Sequence, residues 1–443
     1  MKQDRRGNPV GTASPEALDH AETALWRMCS FFDAPLADLD AAIAADPGWM
    51  LPHVMKAAFL LTLTEPSLLA DARAALDQAD LLAATAPERE RLHWAAADRC
   101  AAGDWHGACA AWEQILIDHP RDLYALQWAH LFDFYRGDAR NLRGRVARVL
   151  PEWPHDDALR PYLLGMHAFG LEECNLYPQA EAVGREAVAG EAKVPWATHA
   201  VAHVMEMQGR FDEGQRWLND HRAVWAEGNG FAGHHGWHLA LFHLEAMDLP
   251  GALALHDAHQ GSAHAVLTLQ RLDGAALLWR LHLLGAEGLA PRWSDLADGW
   301  DLTPRDAGHS AFNDAHMLIA LIGLGDAARA QALLAAVQRR AERGCGSNAA
   351  MAREVGLPLM RGLLAFAAGE AADAIRLLLP LRETAHHFGG SHAQRDLIDQ
   401  TLLAACAAPG GERALGRALL NERQLARGGT PQVEHWRRRL GRG

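Results

Sequence analysis

The chain has 443 residues, 49% of them hydrophobic, and a formal net charge of −13 with only three lysines, Lys2, Lys56 and Lys193. That length suits several globular domains or one long repeat array. The acidic balance argues against nucleic acid and against an anionic membrane surface as the main partner, and no run of about 18 apolar residues is present to span a bilayer.

Abundant alanine and leucine with few tyrosines and phenylalanines favour helix over sheet. From the N-terminus, "MKQDRRGNPVGTASP" lacks the apolar stretch of a signal peptide, and residues 1–15 are expected to be disordered. The six cysteines, Cys29, Cys100, Cys109, Cys174, Cys345 and Cys406, form no CxxC pair. Reduced, mostly buried thiols and a cytoplasmic location are expected.

The stretch "GDWHGACAAWEQILIDHPRD", Gly103 to Asp122, shows the repeating idea. A glycine turn precedes an aromatic residue, small residues, an apolar stripe and a closing proline. Turns of the same kind are read at Gly137, Asn175, Gly209, Met247, Gly325 and Gly369. Each unit is a pair of helices whose apolar face a neighbouring pair must cover. These units resemble tetratricopeptide repeats. The resemblance implies an all-α, tetratricopeptide-type superhelical solenoid over residues 16–427. "PRWSDLADGWDLTP" interrupts it, and residues 288–308 are read as a lid or insertion. Residues 428–443 are read as a basic C-terminal tail.

A narrower resemblance lies in "FGLEECNLYPQAE", "WATHAVAHVMEMQGR", "GWHLALFHLE", "NDAHMLIAL" and "GGSHAQRDLI". These segments are similar to the tetratricopeptide repeat protein 38 family, which has no settled biochemical activity. The resemblance supports the fold and implies no reaction.

Histidine is the outlier: of 25, ten fall between His199 and His264. In such a solenoid the first helix of each pair lines the concave side, at fixed distances before the turn. Counting back from the turns places Trp94, Trp128, Tyr162, Glu172, Glu173, Trp196, His199, His203, Glu206, His234, His238, Glu245, Asn313 and His316 inward, with His392 closing the far end. His93, Tyr124 and Gln127 share that register. The set holds no Arg or Lys.

Such a surface suits a small neutral or cationic ligand, with Trp for cation–π contact and Glu to balance charge, or a peptide. The alternative is an enzyme that uses His199, His203, Glu206, His238 and Glu172 for acid–base or metal-assisted chemistry on a small polar substrate. No cofactor is expected. A transition metal at His199 and His203 is the minority option: their i, i+4 spacing matches one face of a zinc helix, but no Glu follows the first His. His243, His256 and His259 are expected to be structural, and His386 and His387 to cap a helix end. The expected partner is a small molecule or peptide, with neither nucleic acid nor membrane, and a homodimer is one option for the oligomeric state.

Overall fold

The computed structural model describes residues 2–441. The chain is all-α: among the described residues the only sheet is one pair of two-residue strands, Lys2–Gln3 and Pro9–Val10. No described helix is long and apolar enough to cross a membrane.

The turns explain the helix boundaries. Gly103, Gly137, Asn175, Gly209, Met247, Gly325 and Gly369 all have positive φ, between 59° and 83°. A residue in this left-handed region closes off the preceding helix. At four of these turns an aspartate follows at once. Asp104, Asp138, Asp248 and Asp326 accept from the backbone N–H groups of Gly107, Asn141, Gly251 and Arg329. One residue stops a helix and the next starts another.

Consecutive helices then pack in pairs: Met50–Thr62 with Leu69–Leu81, Arg160–Glu172 with Tyr177–Gly190, Ala232–Glu245 with Leu249–His259, and Leu357–Ala367 with Ala371–Leu378. Small residues set the spacing. A Cβ on Gly170 would lie 2.5 Å from the backbone of Leu142 and Arg143, so the helices Ala139–Val149 and Arg160–Glu172 approach at backbone distance.

The chain divides into two compact units, where the sequence reading took residues 16–427 as one body. The first runs up to Val201 and takes in Glu227–Phe231; the second comprises Ala202–Ala226 and the residues from Ala232 onward. The helix Pro195–Met207 is continuous across the division.

In the first unit the N-terminal segment is ordered, contrary to expectation. The Arg6 guanidinium is buried between Asp4 and Glu22, at 2.7 Å from the latter, and this pins the hairpin onto the helix Pro15–Ser30. Trp49, Trp112 and Trp128 are fully buried in the core. Trp128 stacks with Tyr124 at 5.7 Å, and Trp94 packs on the Met50 and Val54 cluster while its indole donates to the Leu76 carbonyl. Both tryptophans therefore build the core and leave the expected ligand surface. His93 is also core, held by Asp122 at 2.8 Å.

In the second unit Trp237, Trp279 and Trp436 are fully buried. The expected tail carries the helix Pro431–Leu440, whose Trp436 donates to Gln400 in the interior. The expected lid holds the helix Ala290–Asp298. Its Trp293 lies so close to Gly323 that a Cβ there would sit 2.2 Å from the indole. The segment is a wall of the unit, fixed by packing.

Candidate functional site

The expected site residues are divided between the two units. Trp94, Trp128, Tyr162, Glu172, Glu173, Trp196 and His199 belong to the first; His203, Glu206, His234, His238, Glu245, Asn313, His316 and His392 belong to the second.

In the first unit Trp196 and His199 sit in an aromatic cluster. Their rings lie 5.5 Å apart, with Phe169 at 5.0 Å from Trp196 and Phe231 at 5.1 Å from His199. Edge-to-face contacts of this kind describe a packed interior. Tyr162 accepts from the Trp26 indole at 2.8 Å. Glu172 and Glu173 are buried at the end of the helix Arg160–Glu172.

The polar core of the second unit starts from two helices. Helix periodicity puts His203 and Glu206 on one face of Pro195–Met207, and His234, His238 and Glu245 along Ala232–Glu245. The His203 and His238 rings lie 4.4 Å apart, and those of His234 and His238 4.8 Å apart. His238 Nδ1 is 3.0 Å from a Glu206 carboxylate oxygen, and His234 Nδ1 is 2.8 Å from Asp273. Burial pushes Glu206 up to about 8 against the pull of Arg427. Burial and the neighbouring histidines hold His238 well below the usual imidazole range.

The absence of Arg from the site is corrected by the structure. Arg423 lies 2.6 Å from Glu245 and 2.5 Å from Asp396. Arg427 lies 3.4 Å from both and 3.9 Å from Glu206. The Thr430 hydroxyl donates to the other Glu245 oxygen at 2.7 Å. Burial would raise Asp396, but Arg423 and Arg427 outweigh it and hold it well below the carboxylate range. Glu245 is thus paired within the protein with Arg423, Arg427 and Thr430.

Arg280 is different. It donates to the carbonyls of Ala276, Ala393 and Gln394 and lies over the Trp237 ring at 5.4 Å. Among the described residues no carboxylate forms an ion pair with it, and burial pushes it down to about 10.

The remaining expected residues lie on the helices Ala311–Gly323 and His392–Ala407. Asn313 lies in the first turn of Ala311–Gly323, where its backbone N–H meets the Ser310 cap. His316 Nδ1 meets the Phe312 carbonyl at 2.8 Å, and burial pushes the ring down to about 4. His392 opens the helix His392–Ala407 and is half-buried. His243 and His256 are held by Asp248 and Asp257, as structural histidines would be.

The sequence reading missed Arg280, Asp273, Arg423 and Arg427. Arg280 had a signal: it is the one charge inside the apolar run "AALLWRLHLL". Arg423 and Arg427 had none, because an Arg-rich amphipathic helix reads as solvated. No protein-family model matches the chain.

Proposed function

We propose that this chain is a tetratricopeptide-type helical-repeat protein, akin to the tetratricopeptide repeat protein 38 family, that binds a small anionic molecule in the polar core of its second unit. Arg280 carries the reading. A buried guanidinium that carries no ion pair, with Asp396 and Glu206 acting on it only at a distance, costs several kcal/mol of desolvation, a cost that points to a role other than stability. Its planar fork and its position over Trp237 suit a carboxylate or phosphate. A peptide in an open groove fits less well, since Glu206, Glu245, Arg423 and Arg427 are all at most 7% exposed at the side chain.

The test is a thermal-shift series with succinate, citrate, inorganic phosphate and choline, together with mass spectrometry of small molecules released on denaturation. The anions are expected to raise the melting temperature of the wild type and to leave Arg280→Leu unmoved. A shift with choline alone would restore the cationic ligand and sink this reading.

One observation favours an enzyme as the second reading. Glu206, held at about 8, touches His238, which burial keeps neutral. This pairs a proton donor with an acceptor near neutral pH.

A further inference from the structure

The geometry points to a transition-metal site that this anion reading does not require: His203, His234 and His238 bind one divalent first-row ion, zinc being the plainest occupant. Each offers one ligand nitrogen, and these nitrogens lie within 4.8 Å of one another. Zinc–nitrogen bonds of about 2.0–2.1 Å in tetrahedral geometry put ligand nitrogens roughly 3.4 Å apart. The rings therefore need to close in by little more than an ångström, a side-chain adjustment. The ligand set is also the right chemistry, because imidazole suits zinc, copper, iron and nickel, and hard oxygen-seeking ions do not choose it.

The surroundings add what a chance meeting of histidines lacks. Two of the three rings have a carboxylate behind Nδ1, Glu206 on His238 and Asp273 on His234. A carboxylate there receives the Nδ1 proton and leaves Nε2 as the donor atom, the usual support of a metal-bound histidine. The Asp273 carboxylate offsets part of the ion's charge from the second layer. His238 is fully buried while the His234 side chain is 17% exposed, so the site has a deep wall and an accessible rim.

The sequence pointed to a different pair, His199 and His203. Here His203 is also joined by two histidines from the helix Ala232–Glu245, four residues apart on one face. Their spacing, His234-x-x-x-His238, was as legible as that of the first pair.

The experiment uses the full-length chain, treated with chelator, exchanged into metal-free buffer and titrated with Zn²⁺ and Co²⁺. One saturable equivalent of Zn²⁺ is expected, with a rise in melting temperature and a Co²⁺ visible spectrum of four- or five-coordinate type. His238→Gln and His234→Gln are each expected to abolish stoichiometric binding. Asp273→Asn is expected to weaken it about 10–100-fold. His256→Gln, which removes a buried histidine paired with Asp257 elsewhere in the unit, is expected to bind as the wild type does. Binding that survives in His238→Gln and His234→Gln, or no saturable binding by the wild type, overturns the site. If no histidine variant folds, X-ray absorption on the zinc-loaded wild type decides, since fewer than three imidazoles in the first shell overturns it as well.

Discussion

At the scale of single residues, the helix Ala311–Gly323 carries two buried groups with opposed titrations. Burial pushes Asp314 up to about 7, although the Gly308 N–H donates to its carboxyl, and pushes His316 down to about 4. An unfolded chain loses the aspartate proton near pH 4 and the imidazole proton near 6.5. Between about pH 4 and 7 the native state keeps a proton on Asp314 that the unfolded state releases, so this residue's contribution falls as pH rises. Between about 6.5 and 4 the unfolded state gains a proton on His316 that the native state refuses, so that contribution falls as pH drops. The two slopes oppose each other. Relative to wild type, Asp314→Asn is expected to make stability rise with pH by up to about 1.4 kcal/mol per unit, and His316→Gln to make it fall by a similar amount. Urea unfolding from pH 4.5 to 7 checks both, and parallel profiles for the three proteins would refute the assignment. The sequence showed His316 as an inward residue but gave no sign of Asp314, because burial is a property of the packed unit.

At the scale of elements, the turn-and-cap device gives the repeat its period. Asp326 is half-buried, and its carboxylate caps the helix Ala327–Arg343 through the Arg329 N–H at 2.9 Å. Asp326→Ala is expected to cost about 1 kcal/mol, read as a lower urea midpoint with an unchanged slope. A drop of several kcal/mol would mean that the aspartate holds more than a helix end. All seven turns were legible because a stop signal and a start signal stand side by side in the sequence. The inward register was less legible. Helix periodicity alone relates His203 to Glu206 and His238 to Glu245, and all four are buried in the second unit. The register failed for Trp94 and Trp128, where large aromatic rings reach into the core from the same stripe. The N-terminal segment was misread because one buried ion pair at Arg6 orders it, and a composition argument counts that arginine as polar.

At the scale of the molecule, the C-terminal residues belong to the interior. Arg423, Arg427 and Thr430 meet Glu245, which lies about 180 positions earlier. Removing one partner of a buried pair costs about 3–5 kcal/mol because the other charge is left unbalanced. A chain ending at residue 412 is therefore expected to leave Glu206, Glu245 and Asp396 without Arg423 and Arg427, and to lose cooperative unfolding of the second unit. Urea denaturation followed by tryptophan fluorescence checks this; a truncated chain as stable as the full one would return the segment to the status of a tail. Long-range pairing of this kind was invisible in the sequence, where residues 428–443 read as a basic tail and nothing joined Arg423 and Arg427 to Glu245.

The turn at Gly209 differs from those at Gly103, Gly325 and Gly369. A Cβ on Gly209 would come within 1.8 Å of the Arg427 carbonyl oxygen, whereas Gly103, Gly325 and Gly369 have nothing within 4 Å. Asn175 and Met247 already occupy equivalent turns without glycine. Under mutational drift the three open turns are free to follow them and accumulate asparagine, while position 209 is closed to every residue but glycine. Descendants of this chain would keep that glycine as long as they keep the C-terminal helix against it, and losing one would release the other.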